Sequence, residues 1–551
     1  MKHSRKLHLG TALAAVLAFT ACSEEQNKEA ATQSTAPTYT LEKFVEGSDF
    51  HGIHGLTFTK DNRLLAGSVL GGTIYEVDVA NKTTSVFIGP YKGMADDLEE
   101  GPNGELGWTA FLAGDYWLRT PEGNDIKLAS GLPGLNSTAW KQDGRLFATQ
   151  VFLGDALYEL DPTGSTPPRK IMEGMGGLNG FDFGPDGKLY GPLWFKGQIA
   201  RVDVDAGTLE VIAEGFTIPA AVNFDSKGQL WAVDTAEGAV YKVNIETGER
   251  TLVADVEPAI DNMAFDNDDR LFISNMSRNA IIEINTETGE ATEIVGGPLA
   301  VAADLDIGEE DGREVVYIAD VFSARKAFTD TGEVTEIGRV FGSNVDYPIN
   351  LGAAHGKLAL AGWSAGAVQL VDLADQKNLS HPHHGFTTPT DALPLPDGNF
   401  LVTNLAEGTL SSVTKDGTKT ILVSGLVTPG NMDYAADGSL YVTEYALGRI
   451  SKVDLATSTI TPVIEDLKGP EGFDITADGT FYVAEVPLKK ITAIAPDGTR
   501  TDIGTDLPIG LAPPEGGLPT HVPTGVVVTK TGDVIFSSDL EAALYRLKKS
   551  N

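Results

Sequence analysis

One cysteine, Cys22, stands in 551 residues. A chain so poor in thiols builds no disulfide framework, and its folded part offers no cysteine nucleophile or cysteine metal site. Basic side chains are scarce as well: 41 Lys and Arg face 77 Asp and Glu, for a formal net charge of −36. A surface of that sign repels phosphate backbones, which argues against nucleic acid as a partner. Long apolar runs are missing, and the run at residues 9–18 is too short to span a bilayer. There is no P-loop, no GxSxG elbow, no HExxH and no GxGxxG leading from a strand into a helix, which argues against nucleotide chemistry and serine hydrolysis of the usual kinds. No long amphipathic helical pattern stands out. With 62 glycines, the chain reads instead as an all-β, turn-rich protein.

What is present begins with an address. A basic MKHSRK, an apolar segment and Phe19-Thr20-Ala21 lead to Cys22, the order of a sorting signal. The small residues before the lone cysteine resemble a bacterial lipobox, with Phe19 where Leu is usual. The resemblance implies a signal peptide over residues 1–21, cleavage before Cys22, and acylation of Cys22. It also implies anchoring in a bacterial envelope, with Ser23 rather than Asp favouring the outer membrane, facing periplasm or exterior. An ordinary signal peptide is the alternative. Residues 22–38 are too polar to bury a core and read as the acylated Cys and a flexible tether.

The rest is a repeat. In residues 177–216 four short apolar segments are separated by PDG, FKG and DVDAG, the pattern of strands joined by tight turns. Aligning the turn glycines gives twelve such cassettes at a pitch of about forty residues, the pattern of β-propeller blades. Twelve divides into two tandem six-bladed β-propellers of four-stranded antiparallel blades, expected at residues 39–288 and 289–551. A single twelve-bladed ring is the alternative, but side chains would not fill its channel. Tyr39–Val45 reads as a strand without a blade, and the last cassette stops at its third strand. For two rings this predicts a swapped closure: Tyr39–Val45 completes the blade ending near Ile284, and Thr292 to Val295 completes the last.

A propeller's innermost strand lines the channel, so its first residues meet at the mouth. In the first ring these are His54, Asp96, Asn136, Asn179, Ala220 and Asp261, with Asn262 beside the last, spaced 40 to 43 residues apart. Carboxylates and carboxamides converging on one point form an oxygen-rich cage of the kind Ca²⁺ takes. In the second ring the matching positions are Val301, Tyr347, Asp391, Gly430, Glu471 and Thr524, with Asn431 beside Gly430. There Asp391, Asn431 and Glu471 are the candidates to share a cation. His54 is a candidate base or carbonyl hydrogen-bond donor. His381, His383 and His384 read as an incidental loop cluster, and the Pro-rich stretch at residues 513–523 as a loop or a lid over the second channel.

Three segments resemble the six-bladed gluconolactonase (senescence-marker) and paraoxonase superfamily: MADDLEEGPNG around Asp96, LNGFDFGPDG around Asn179, and IDNMAF around Asp261 and Asn262. The resemblance implies a divalent metal, Ca²⁺, on Asp96, Asn179, Asp261 and Asn262; His54 and Asn136, at the same mouth, are the catalytic candidates. It implies a metal-dependent hydrolase of a small-molecule lactone or related ester. The chain departs at Ala220, where the resemblance implies another Asn. The alternative is a non-catalytic double propeller, lipid-anchored, that binds a protein or glycan partner.

Overall fold

A computed structural model describes residues 38–550, apart from Tyr91 and residues 514–516. The expected signal peptide, Cys22 and nearly all of the tether lie outside the described residues. Among the described residues there is no α-helix, and the strands form twelve four-stranded antiparallel sheets.

The cassette turns act as the sequence suggests. In the PDG turn Gly187 takes φ +71°, a left-handed conformation glycine adopts without a Cβ clash. Asp186 fixes the same turn, its carboxylate accepting the Lys188 amide at 3.0 Å and the Tyr190 hydroxyl at 3.0 Å. Core side chains interleave between the faces of neighbouring blades. Ala139, Phe147 and Leu157 of one blade pack with Leu178, Phe181 and Leu189 of the next. Each such Leu or Phe contributes roughly 1.5–3 kcal/mol on burial.

Two rings of six result. The first comprises blades at residues 53–88, 95–129, 135–173, 182–214, 219–255 and 260–295. Its ends meet where Phe50, Ile53 and Leu56 pack against Ala264, Phe272 and Ile281. The second comprises blades at residues 305–339, 350–384, 389–424, 429–464 and 470–504, and a twelfth at 526–549. That twelfth blade has three strands of its own, and Tyr39–Val45 is its fourth, paired from Tyr39↔Lys549 to Val45↔Leu544.

The swapped closure expected from the sequence is therefore incorrect. Ala291–Val295 stays in its own blade, paired with Ala280–Ile284, and the first ring needs no outside strand. Folding onto its own hairpin closes a short loop, whereas crossing to the last blade would close one of more than two hundred residues. The ring boundaries move accordingly, to residues 53–295 for the first and 305–549 plus 39–45 for the second.

The rings meet through the ends at which their inner strands begin. Ala259 and Met276 of the first pack with Val321, Phe322, Val340 and Ile349 of the second. Polar contacts reinforce the contact, with Asn279 Nδ2 donating to Ala300 O at 2.8 Å and Arg339 Nη1 to Glu257 Oε2 at 2.9 Å. The histidine trio does not converge: His383 bonds Lys415 O at 3.1 Å, and His384 lies 3.5 Å from Asp346.

Candidate functional site

At the first-ring mouth four sequence candidates do come together. Each inner strand opens with one paired residue followed by a bulge, as in Ile53↔Ser68, Ala95↔Ala110, Leu135↔Gln150 and Ile260↔Asn275. The residue after each pair is His54, Asp96, Asn136 or Asp261, and the bulge turns it toward the channel. His54 Nδ1 lies 3.0 Å from Asp261 Oδ2 and 3.3 Å from Asp96 Oδ1. Asn136 Nδ2 donates to the other oxygen of Asp96. Ser137 Oγ then donates toward Asn136 Oδ1 at 2.8 Å and Asn179 Oδ1 at 3.0 Å, bringing Asn179 into the chain.

Electrostatics follow from that geometry. Burial disfavours the charged imidazole, but Asp261 and Asp96 outweigh it and hold the His54 pKa above its ordinary value. Burial lifts the Asp96 carboxyl well above the usual carboxylate range; His54 opposes that rise, and Asp261 and Asp97 add to it. Because carboxylates accept, the proton of a neutral His54 sits on Nδ1, which leaves Nε2 as the basic nitrogen. The His54 side chain keeps 16% of its surface accessible.

Asn262 behaves differently from the expectation. Its Nδ2 donates to Asp97 Oδ1 at 3.0 Å, one level below the mouth, across the blade whose Gly55 offers no side chain there. A Cβ on Gly55 would come 2.8 Å from Asp96 O, so only glycine leaves that path open. Asp97 Oδ2 accepts the Thr138 amide of the next blade at 3.0 Å. Burial pushes Asp97 up to about 7 against these bonds.

The same stapling runs through the second ring and was missed in the sequence. Asp391 accepts the amides of Ala392 and Met432 at 2.7 and 2.6 Å, and Asp306 those of Ile307 and Ala353 at 2.6 and 2.5 Å. Each carboxylate joins its own strand to the following blade. Of the second-ring trio, Asn431 Nδ2 lies 3.5 Å from Asp391 and 3.2 Å from Asp304, while Glu471 accepts the Thr524 amide at 2.7 Å. Asn431 thus bridges Asp391 and Asp304, and Glu471 ties its strand to the last blade. Val301 and Tyr347 leave this channel for the contact between rings, and Asp304 and Asn350 take the channel positions instead. The recurring signal was an acid or amide just before a hydrophobic inner-strand residue.

The donor set does not fit the cation cage that the resemblance implies. The imidazole of His54 stands between the two carboxylates, Asn262 is turned to Asp97, and Ala220 supplies no oxygen. Asn179 Oδ1 is taken by the Gly180 amide at 2.9 Å and by Ser137.

The sequence does hold a GxSxG string, Gly362-Trp363-Ser364-Ala365-Gly366, although it forms no nucleophile elbow. It joins two antiparallel strands, Lys357–Gly362 and Ala367–Asp372, as a hairpin turn rather than the strand-to-helix elbow of serine hydrolases. Its Trp363 Nε1 donates to His521 O at 2.9 Å, so the end of the Pro-rich stretch is tied down onto this turn.

Residues 191–319 match the family model described as SMP-30/Gluconolactonase/LRE-like region. The resemblance to the gluconolactonase superfamily holds. The gluconolactonase-like region spans Ala220, Asp261 and Asn262 and runs across the junction into the second ring. A comparison with curated proteins found no match. Among solved structures, a gluconolactonase from Xanthomonas campestris is similar at 16% identity and TM-score 0.36, over 44% of this chain and 93% of that one. The extracellular domain of a putative one-component system from B. thetaiotaomicron is similar at 10% identity and TM-score 0.31, over 89% and 71%. A streptogramin B lyase is similar at 11% identity and TM-score 0.27, over 93% and 98%.

Proposed function

We propose that the first-ring mouth hydrolyses a lactone or related ester by acid–base chemistry, with His54 as the base. The observation that carries this reading is the contact of His54 Nδ1 with Asp261 at 3.0 Å and Asp96 at 3.3 Å. A carboxylate on one imidazole nitrogen fixes the tautomer and stabilises the imidazolium formed when the other takes a proton. Water attacks the acyl carbon and passes a proton to His54 Nε2. The ring C–O bond then breaks, and the departing oxygen takes that proton from the imidazolium, leaving a hydroxy acid. Asn136, held on Asp96, is a positioning residue in this scheme.

The calcium of the resemblance has no part in the step, because the donor set does not fit it. Anchoring through Cys22 in a bacterial envelope belongs to the proposal and rests on the order of residues 1–22. A second reading, a non-catalytic propeller binding a protein or glycan partner, is favoured by the mutual satisfaction of the mouth amides and carboxylates. Turnover of a lactone and ester panel in the presence of a chelator separates the two. The hydrolase reading expects turnover that His54→Gln abolishes, and absence of turnover across the panel supports the binding reading.

A further inference from the structure

The first ring has a second concavity, on the face away from its mouth. The inner strands Ile53–Phe58 and Ile260–Phe265 begin at the mouth and end in hairpin turns on that far face. There the turn of the first blade meets that of the sixth, the Asn267 amide donating to Asn62 Oδ1 at 2.9 Å. Beside this contact the two blades part around a cavity of about 560 Å³. That volume falls within the range of about 300–1,000 Å³ that small-molecule sites occupy. Lys82 Nζ reaches from the first blade to Glu293 O of the sixth at 3.0 Å and bounds the cavity.

The floor is apolar. Phe58 and Val79 are half-buried there beside Ile294, and the Phe58 ring rests on Phe272 with centroids 5.2 Å apart. The rim is charged but balanced, with Arg63, Lys82 and Arg270 against Glu76, Asp78 and Glu283. Each of these carboxylates is already engaged: Glu76 with Arg63 Nη1 at 3.2 Å, Glu283 with Arg270 Nη1 at 3.8 Å, and Asp78 with the Asn81 amide at 2.9 Å. Asp61 and Asp266 accept from the two arginine Nε atoms at 3.0 and 2.8 Å. The guanidiniums lie over the rings of Phe87 and Phe272, 5.5 and 5.4 Å from the centroids. Both arginines are therefore fixed in place, yet among the described residues neither Nη2 has a hydrogen-bond partner.

We propose that this far-face groove binds a neutral saccharide of one or two rings. A charged ligand gains little from a rim whose charges cancel, and it would have to break pairs already made. Sugar hydroxyls both donate and accept. They take the open Nη2 donors and the remaining carboxylate lone pairs without disturbing those pairs. The apolar face of a pyranose ring matches Phe58, Val79 and Ile294 on the floor. The groove is separate from the mouth, and the inference holds whichever reading of the mouth stands.

The test is saturation-transfer NMR and calorimetry with maltose, cellobiose and N,N′-diacetylchitobiose, and with glucuronate and glucosamine against glucose. At least one neutral disaccharide is expected to bind with a Kd of about 1 mM or tighter, and each charged monosaccharide about fivefold more weakly than glucose. Arg63→Met removes a fixed donor, and Thr292→Trp fills the groove from the exposed outer strand. Each is expected to weaken disaccharide binding about tenfold or more. Both positions reach solvent, so the variants keep the fold, which their melting temperatures check. No binding of any neutral disaccharide at about 10 mM, a charged sugar held as tightly as glucose, or disaccharide binding that a folded variant leaves unchanged overturns the inference. Binding that His54→Gln removes and the groove variants spare places the sugar at the mouth, and overturns it equally.

Discussion

His54 Nδ1 and Asp261 Oδ2, 3.0 Å apart, join the first blade of the first ring to its sixth. The two residues are more than two hundred positions apart in sequence, and ring closure alone brings them together. Their contact therefore reports both the fold and the chemistry. Asp96, from the second blade, stands on the other side of the same nitrogen at 3.3 Å.

A charge held this way leaves a signature in stability. The folded pKa of His54 is raised, so its contribution is fully present below the ordinary histidine value and is lost as pH rises through the raised one. Asp261→Asn is expected to destabilise the protein more at pH 5.5 than at pH 9, measured by urea denaturation at both. An equal loss at the two pH values would show that the imidazole carries no extra proton in the fold.

Asp97 is a structural staple in this account. Asp97→Ala leaves the Thr138 amide and the Asn262 carboxamide buried without an acceptor, at a cost of about 3 kcal/mol. Chemical denaturation checks this. A loss under about 0.5 kcal/mol, within the range of an ordinary surface substitution, would refute the stapling role.

The second channel makes a prediction of its own. Burial pushes Asp304, Asp306 and Asp474 up to about 7, 8 and 6. A raised carboxyl stabilises the fold while protonated, so this contribution is complete below about pH 4 and fades as pH climbs through 6 to 8. His51 and His521, lowered to about 4 by burial, act in the opposite sense over an overlapping interval. The comparison is thus between variants: Asp306→Asn is expected to flatten the fall of melting temperature between pH 4 and 8. An unchanged slope contradicts it.

Removing Tyr39–Val45 exposes the edge formed by Ala543–Lys549 and is expected to weaken the second ring first. Five of the six tryptophans, Trp108, Trp117, Trp140, Trp194 and Trp231, lie in the first ring. Their fluorescence should report a transition later than the loss of β-sheet circular dichroism. Coincident transitions at the unmodified melting temperature would show that the strand is dispensable.

The blade repeat was legible because a PDG or DG turn every forty residues is a local signal that needs no tertiary information. The mouth residues were legible for a related reason: equal spacing in a ring implies convergence, and His54, Asp96, Asn136 and Asp261 do converge. What could not be read was which way a side chain turns after the bulge. Asp261 points into the mouth while its neighbour Asn262 drops to Asp97. Strand exchange was hidden too, since Tyr39–Val45 carries no mark of which ring it joins. In the second ring, extra residues before Asp304 and Asn350 shifted the count, so that Val301 and Tyr347 were assigned to a channel they do not enter.

The claim at the centre of the account is that His54, and not a bound cation, runs the chemistry of the first ring. The most direct measurement is the pH–rate profile for hydrolysis of a lactone in excess chelator, for the unmodified protein and for His54→Gln. The account predicts chelator-resistant turnover that rises as His54 loses its proton, with a loss of about a hundredfold or more in the variant. Turnover that requires added Ca²⁺, or that survives in His54→Gln with the same profile, would contradict it.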